Sequence, residues 1–292
     1  RQAAGHGQGG TRGVARQGRD LSLLHPRISV NGVCFPRASL QEDIAAWRSL
    51  GAHTVVEHVR KLADVGCADG VVALRGAGVR VEALVHPLDV RLDDPRGWEK
   101  FRAEFRRSID IARALGAASI YSTSGHRGRL TWENAADGFS AAMRPLLDEA
   151  TAAGIHLLIE PTVPLHADKP IVHTLRDSVT LAERSGLGIC IDIFHCWTEP
   201  GLRESIARAI PRTRLVQVGD YVFGDRAVPC HAVIGDGNIP IERMLGWILE
   251  DGYAGMFDLE LNRPRIEAEG NANAVRRCAE RRSEMLTSLG RN

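Results

Sequence analysis

A single α/β domain, folded as a closed (β/α)8 barrel, is the fold that this sequence of 292 residues predicts. Short apolar runs alternate with helical stretches along the chain, the length suits eight such units, and polar side chains recur at the ends of the later runs. An open doubly wound sheet is the alternative, but no GxGxxG or GxxxxGK[ST] turn follows the first apolar run. We therefore expect one parallel barrel with right-handed crossovers.

The beginning of the chain differs in composition from the rest. Residues 1–20 contain six glycines and four arginines without apolar periodicity. Such a segment cannot bury enough apolar surface to fold by itself. We predict a flexible Arg- and Gly-rich extension over residues 1–26 and a catalytic barrel domain over residues 27–292.

The strands and helices follow in regular order after this extension. Residues 27–35 (RISVNGVCF) predict the first strand, and Ser39 with Glu42 three residues later predicts a capped helix that ends near Leu50. The helix expected between the second and third strands has the weakest pattern. The other predicted strands cover residues 53–59, 79–86, 118–124, 155–160, 188–193, 214–218 and 256–261, and the other predicted helices cover residues 95–115, 132–153, 173–185, 201–210, 239–250 and 271–288.

The composition excludes several classes of protein. Hydrophobic residues make up 44% of the chain, and 37 Lys and Arg balance 36 Asp and Glu, so no nucleic acid partner is indicated. No apolar run approaches the about 20 residues of a membrane-spanning helix, so we expect no membrane partner and a cytoplasmic location. The six cysteines contain no CxxC pair, which favours reduced structural thiols over a disulfide framework or a zinc cluster.

Side chains with oxygen donors follow the last four predicted strands. They are Glu160 in LLIEP, Asp192 in ICIDIFH, Gln217 in LVQVGD and Glu260 in FDLEL, at intervals of 32, 25 and 43 residues. One βα unit takes about 30 residues, so each interval fits one unit, the last with a long loop. A single residue of this kind could simply be a polar strand end, but four in succession at one face of a barrel predict a site for a hard divalent cation.

The motifs around these residues resemble those of a known family. EP after the fifth strand, DxFH after the sixth, QVxD with a GDG loop after the seventh, and DLEL at the eighth are similar to the xylose isomerase-like TIM barrel superfamily of sugar phosphate isomerases and epimerases, over about residues 28–288. The resemblance implies that Glu160, Asp192, Gln217 and Glu260 bind one divalent metal ion, with Mn2+ preferred and Mg2+ or Co2+ as alternatives. Gln217 stands where sugar epimerases more commonly have His, and in this it resembles 3-dehydroshikimate dehydratase-like members.

The resemblance implies proton abstraction next to the carbonyl of a keto-sugar or related polyol. A cation that chelates the carbonyl and an adjacent hydroxyl stabilises an enediolate, while neighbouring carboxylates move the proton. Glu160 and Glu260 are the candidates for these catalytic roles, and return of the proton makes the enzyme an isomerase or epimerase. Loss of a leaving group from the same enolate makes it a lyase, as in dehydratase-like or C-glycoside deglycosidase-like members.

Other residues near the predicted strand ends are candidates for the same site. His195, three residues after Asp192, is expected to contact the substrate or to lie beside the metal. His86, in LVHP, is a candidate for proton transfer, Arg226 for binding a substrate anion and Trp197 for packing against the substrate. A structural role is the alternative for each of them. Without a glycine-rich phosphate cradle, a phosphorylated substrate is not predicted.

Two other functions are weighed against this one. An apurinic endonuclease-like DNA repair enzyme would need more histidine ligands and a basic surface, and Gln217 and the charge balance argue against it. A non-catalytic sugar-binding subunit is disfavoured because every oxygen ligand is present. The exterior helices of barrels often mediate assembly, so a homo-oligomer or a partner subunit is expected.

Overall fold

The barrel is closed by pairing its first strand with its last. A computed structural model describes residues 24–227 and 229–290, and in them eight parallel strands pair in the order of the sequence. Ile28 lies opposite Phe257 where the ring closes. This confirms the predicted (β/α)8 barrel. The strands are β1 (Ile28–Asn31), β2 (Thr54–His58), β3 (Arg80–Val85), β4 (Ser119–Ser122), β5 (His156–Ile159), β6 (Gly188–Asp192), β7 (Thr213–Val218) and β8 (Met256–Leu259).

Helices follow the strands around the barrel. None within the described residues is both long and apolar enough to cross a membrane. The predicted extension over residues 1–26 lies, except for its last three residues, outside the described part of the chain. The helices are α1 (Leu40–Leu50), α2 (Val59–Asp64), α3 (Cys67–Ala77), α4 (Trp98–Leu115), α5 (Trp132–Ala152), α6 (Leu175–Ser185), α7 (Ile193–Cys196), α8 (Leu202–Ala209), α9 (Ile241–Glu250), α10 (Arg265–Glu269) and α11 (Asn271–Ser288).

Local side-chain chemistry sets several element boundaries. The Asn31 side chain accepts a hydrogen bond from the Val33 amide at 3.0 Å, which turns the chain into a 3-10 turn and ends β1 before the predicted limit. Gly66, with φ of 87°, separates α2 from α3 where one helix was predicted.

The six cysteines are all described and form no disulfide, as predicted.

The N-terminus of α1 carries the predicted capping box. The Ser39 hydroxyl accepts from the Glu42 amide, and the Glu42 carboxylate accepts from the Ser39 amide at 2.7 Å. We expect Ser39→Ala to lower the free energy of unfolding by about 1 kcal/mol, because the Glu42 amide loses its acceptor and the Glu42 carboxylate loses the hydroxyl donor. Urea unfolding measures the change, and Ser49→Ala, an exposed serine of the same helix, is the matched control. Equal stabilities of the two variants would contradict the prediction.

Apolar side chains fill two layers of the protein. A small cluster lies inside the barrel, and a much larger one lies between the strands and the helices, where Trp47, Phe105 and Phe139 are fully buried. The inner cluster leaves the inward positions near the carboxyl ends of the strands to polar side chains. Its members are Val56, Ala83, Tyr121, Leu158, Cys190, Leu215 and Met256.

A charged cluster is buried between the barrel and α1. Asp43 and Glu57 are fully buried. Lys61 Nζ lies 2.5 Å from Asp43 Oδ2. The same ammonium group donates to the carbonyls of Gly32 and Phe35 at 3.0 and 2.9 Å. Burial raises the pKa of Asp43 to about 6 and raises the pKa of Glu57 well above its ordinary value. A Cβ at Gly32 would overlap the Glu57 carboxyl group, so a larger residue there would displace this side chain. The cluster thus holds two carboxyl groups and one ammonium group.

Candidate active site

Two carboxylates and an imidazole meet at the carboxyl ends of β5 and β6. Glu160 directly follows β5, and Asp192 ends β6. Asp192 Oδ1 accepts from the Phe194 amide at 2.8 Å, which starts the single turn α7 and brings His195 back over Asp192. Ligand atoms of Glu160, Asp192 and His195 lie within 4.8 Å of one another. We call these three residues the carboxylate cluster.

The imidazole of His195 has a defined orientation. Its Nδ1 accepts from the Val163 amide at 3.3 Å, so the neutral ring carries its hydrogen on Nε2. Nε2 lies 3.4 Å from Asp192 Oδ2. Burial lowers the pKa of His195, although the neighbouring Asp192 acts in the opposite direction. His195 therefore presents a neutral N–H donor to the cluster.

Gln217 and Glu260 form a second group at the ends of β7 and β8. The Gln217 amide nitrogen donates to Glu260 Oε2 and to the Tyr121 hydroxyl, the latter at 3.0 Å. The Tyr121 hydroxyl in turn donates to Glu260 Oε2 at 3.3 Å. The Gln217 amide oxygen, predicted to face a metal, instead accepts from Cys190 Sγ at 3.0 Å. In this orientation Gln217 holds Glu260 in place. A half-turn about its last side-chain bond would exchange the oxygen and the nitrogen.

A hydrogen-bonded layer inside the barrel supports Glu260. Asn31 Nδ2 donates to the Tyr121 hydroxyl at 2.9 Å and to Asp258 Oδ2 at 2.7 Å, while Ser29 Oγ donates to Asp258 Oδ1 at 2.7 Å. Burial raises the pKa of Asp258 to about 7. The sequence reasoning missed this layer. Strand alternation, which places Asp258 on the same face as Glu260, was the available signal.

Burial makes the carboxyl groups of the site costly to ionise. Burial raises the pKa of Glu160, Asp192 and Glu260, and Glu260 and Asp192 raise the pKa of Glu160 further. Asp192 Oδ2 is buried without a hydrogen-bond partner among the described residues, and Glu160 is also buried. Buried carboxylates are costly unless a cation or donors pair with them. This oxygen-rich donor set therefore fits a hard divalent cation.

A pocket of about 440 Å³, which we call the rim pocket, opens beside His195. Trp197 and Tyr221 line it, and so does Arg226, whose side chain is exposed. Arg226 Nη1 donates to the Tyr221 hydroxyl at 3.3 Å and to the Asp225 carbonyl at 2.9 Å. The structure thus places three of the predicted substrate-contacting residues, His195, Trp197 and Arg226, around one pocket.

His86 contacts helix α4 and does not belong to the carboxylate cluster. Its ring packs against Phe105 of α4 with centroids 4.3 Å apart, and its Nδ1 lies 2.9 Å from Ser108 Oγ on the same helix. Burial lowers the pKa of His86 to about 4. The structure therefore does not bring this predicted catalytic residue together with Glu160 and Asp192, and contacts with α4 explain its position.

Comparison with known proteins adds sequence relatives. The profile of the xylose isomerase-like TIM barrel family matches residues 38–281. Fructoselysine 3-epimerase of Shigella flexneri is 22% identical over 202 residues, which are 65% of this chain and 71% of that protein. The family match includes the positions at the ends of β5 to β8.

Solved structures share the fold over most of the chain. L-ribulose 3-epimerase superposes with a TM-score of 0.74 at 17% identity, covering 90% of this chain and 95% of that one. The IOLI protein, solved with a bound zinc atom, superposes with a TM-score of 0.76 at 16% identity, covering 90% and 99%. At these identities the superpositions show a common barrel.

Proposed function

The chain belongs to the xylose isomerase-like TIM barrel family, and from this premise we propose that it is a divalent-metal-dependent isomerase or epimerase of keto-sugars or related polyols. One observation carries the proposal. Ligand atoms of Glu160, Asp192 and His195 lie within 4.8 Å of one another at the carboxyl ends of β5 and β6, and Glu260 at the end of β8 raises the pKa of Glu160. Resemblance to two named 3-epimerases supports the isomerase reading.

The proposed metal ligands are the residues predicted from the sequence. Glu160, Asp192 and Glu260 would hold the ion, and Gln217 would join them after its amide turns its oxygen away from Cys190. The all-oxygen donor set favours Mn2+, with Mg2+ or Co2+ as alternatives. When bound, the ion supplies Lewis acidity that stabilises negative charge on the substrate oxygens.

The side chains of the site supply the proton transfers. We assign Glu160 as the base that removes the proton next to the substrate carbonyl and Glu260 as the acid that returns one from the opposite side. The raised pKa of both carboxyl groups belongs to the metal-free protein, and a bound cation would lower it and keep Glu160 ionised as a base. The Nε2 hydrogen of His195 is placed to donate to a substrate oxygen, which fixes the substrate orientation.

A lyase reaction is the second candidate function. Gln217 is the observation that favours it, because this residue differs from the histidine expected of a sugar epimerase at the end of β7. Removal of the same proton followed by loss of a β-hydroxyl would release water instead of forming an epimer. The two outcomes share Glu160 as the base and differ in the product.

Deuterium exchange tests both metal dependence and reaction type. The chelated protein is loaded with Mn2+, Mg2+ or Co2+ and incubated in D2O with keto-sugars, inosose-like ketones and 3-dehydroshikimate. We expect one deuterium next to the carbonyl and an epimeric product, and both only when metal is bound. We also expect the metal to raise the free energy of unfolding by about 2.7 kcal/mol at an ion concentration near 100 Kd. Loss of water would support the lyase. Exchange that persists in the chelated protein, or no exchange with any ketone, would reject the proposal.

A further inference from the structure

The walls of the rim pocket are mainly apolar although it adjoins a polar site. The loop after β5 contributes Val163, Pro164 and Leu165, and α7 and the residue after it contribute Cys196 and Trp197. Sugar hydroxyl groups need hydrogen-bonding partners, and burying them against such walls would leave them unpaired. The composition of the walls therefore suits an apolar group rather than a second polyol.

The two carboxylates that line the pocket, Glu199 and Asp225, already have partners. The Glu199 carboxylate accepts from the Leu175 amide at 2.7 Å and from Ser205 Oγ at 2.6 Å, which fixes the start of α6. Arg265 binds the Asp225 carboxylate through two nitrogens, at 2.5 and 3.0 Å. These carboxylates serve the fold, so they are not free to bind substrate hydroxyls.

Aromatic rings extend the apolar surface outward from His195. Trp197 stacks on Phe223 with centroids 6.1 Å apart and an interplanar angle of 29°, and Tyr221 packs against both rings. The large exposed hydrophobic residues of the described chain are Val72, Leu165 and Phe223, and the last two border the pocket or its aromatic wall. Exposed apolar groups concentrated at a pocket mouth indicate a binding surface.

We propose that the substrate is a keto-sugar carrying an aromatic or similarly bulky apolar arm, with the sugar at the carboxylate cluster and the arm in the rim pocket. This inference rests on the proposed function, because the keto-sugar part belongs to that proposal. The pocket volume of about 440 Å³ lies within the about 300–1,000 Å³ of pockets that enclose ligands with several rings. His195 lies between the two parts, since it belongs to the cluster and also lines the pocket.

Matched pairs of synthetic ketoses test the arm. Fructose derivatives carry either a benzyl or a hydroxyethyl group, at C1 in one pair and at C6 in the other, and kcat/KM for deuterium exchange is measured with the Mn2+-loaded enzyme. In at least one pair, we expect kcat/KM for the benzyl compound to be at least about tenfold higher than kcat/KM for the hydroxyethyl compound, because apolar pockets discriminate between groups of this size. Equal kcat/KM values within both pairs would overturn the inference.

Variants locate the preference in the rim pocket. Trp197→Ala removes the inner aromatic wall, and Leu165→Asp introduces a charge at the exposed mouth. We expect both variants to reduce the difference in kcat/KM between the benzyl and hydroxyethyl compounds. Val72→Asp, a change at an equally exposed hydrophobic residue on α3, should keep the full preference. A preference that survives both pocket variants would place the arm elsewhere.

Binding separates this inference from the proposed function. Calorimetry with the same compounds and the metal-free protein needs no turnover. Tighter binding of a benzyl compound without any exchange activity would reject the isomerase and lyase proposals and retain the apolar subsite. Exchange activity with equal binding and equal kcat/KM within each pair would retain the proposed function and reject the apolar arm.

Discussion

Replacing Glu260 with Gln is expected to lower turnover by about 10³-fold or more, because in the proposed mechanism this residue supplies both a metal-binding charge and a proton-transfer group. The two side chains have nearly the same shape, so the hydrogen bonds from Gln217 and Tyr121 to the side-chain oxygen can persist. The loss therefore falls on the chemistry and not on packing. Turnover of the Mn2+-loaded variant is compared with that of the wild type.

The stability of the same variant provides the control for folding. Burial and the neighbouring Asp192 and Asp258 raise the pKa of Glu260, so a neutral amide at this position costs the metal-free protein nothing and relieves carboxylate repulsion. We expect the melting temperature without metal to stay equal or to rise, and the increase produced by Mn2+ to shrink. Glu280→Gln, at an exposed position of α11, should leave both measurements unchanged. Wild-type turnover in Glu260→Gln would remove Glu260 from the mechanism.

Replacing Lys61 with Met is expected to lower the free energy of unfolding by about 3–5 kcal/mol, the usual cost of removing one partner of a buried ion pair. The ammonium group is the cation that lies 2.5 Å from Asp43, and it also binds two backbone carbonyls. Met fills similar space but leaves Asp43 and Glu57 facing each other without a positive charge. Urea unfolding gives the difference, and Lys100→Met, at an exposed position of α4, is the matched control.

The pH dependence of this difference identifies its electrostatic origin. Burial raises the folded-state pKa of Asp43 from 3.8 to about 6, so the stability contribution of this group is complete below about pH 4 and is lost as the pH rises through about 6. Without Lys61, the pKa of Asp43 and of Glu57 must rise further, so the free energy of unfolding continues to fall at higher pH. The difference in free energy of unfolding between the wild type and Lys61→Met should therefore be larger at pH 8 than at pH 5. A deficit independent of pH would indicate lost packing instead.

Much of the barrel could be predicted because its strands are short apolar runs between clear helix signals. Each predicted strand corresponds to an observed one, and the capping pair Ser39 and Glu42 marks the start of α1 as expected. The first strand was predicted too long, since the pattern of residues 27–35 is apolar throughout while the Asn31 side chain turns the backbone. The break at Gly66 was also missed, because glycine can either interrupt a helix or be tolerated within it.

The site was less predictable than the fold because side-chain direction depends on neighbours from distant elements. Glu160, Asp192 and His195 could be brought together by strand order alone, and the structure does bring them together. The orientation of the Gln217 amide depends on Cys190 and Tyr121, whose proximity no local pattern reveals.

His86 illustrates the same limit outside the barrel. Its place at a strand end suggests the active face, and the structure adds contacts of its ring with Phe105 and of its Nδ1 with Ser108 of α4. Those two residues are about one helical turn apart and lie some twenty positions later in the chain, and nothing in the LVHP motif indicates the contact.

The pairing of Ile28 with Phe257 has a consequence for biosynthesis. At a translation rate of about 5–20 residues per second, β1 emerges from the ribosome on the order of ten seconds or more before β8 exists to cover it. During that interval the nascent sheet exposes an edge on which other chains can pair. A chain that stops before β8 would therefore lack both ring closure and Glu260, the residue that follows this strand.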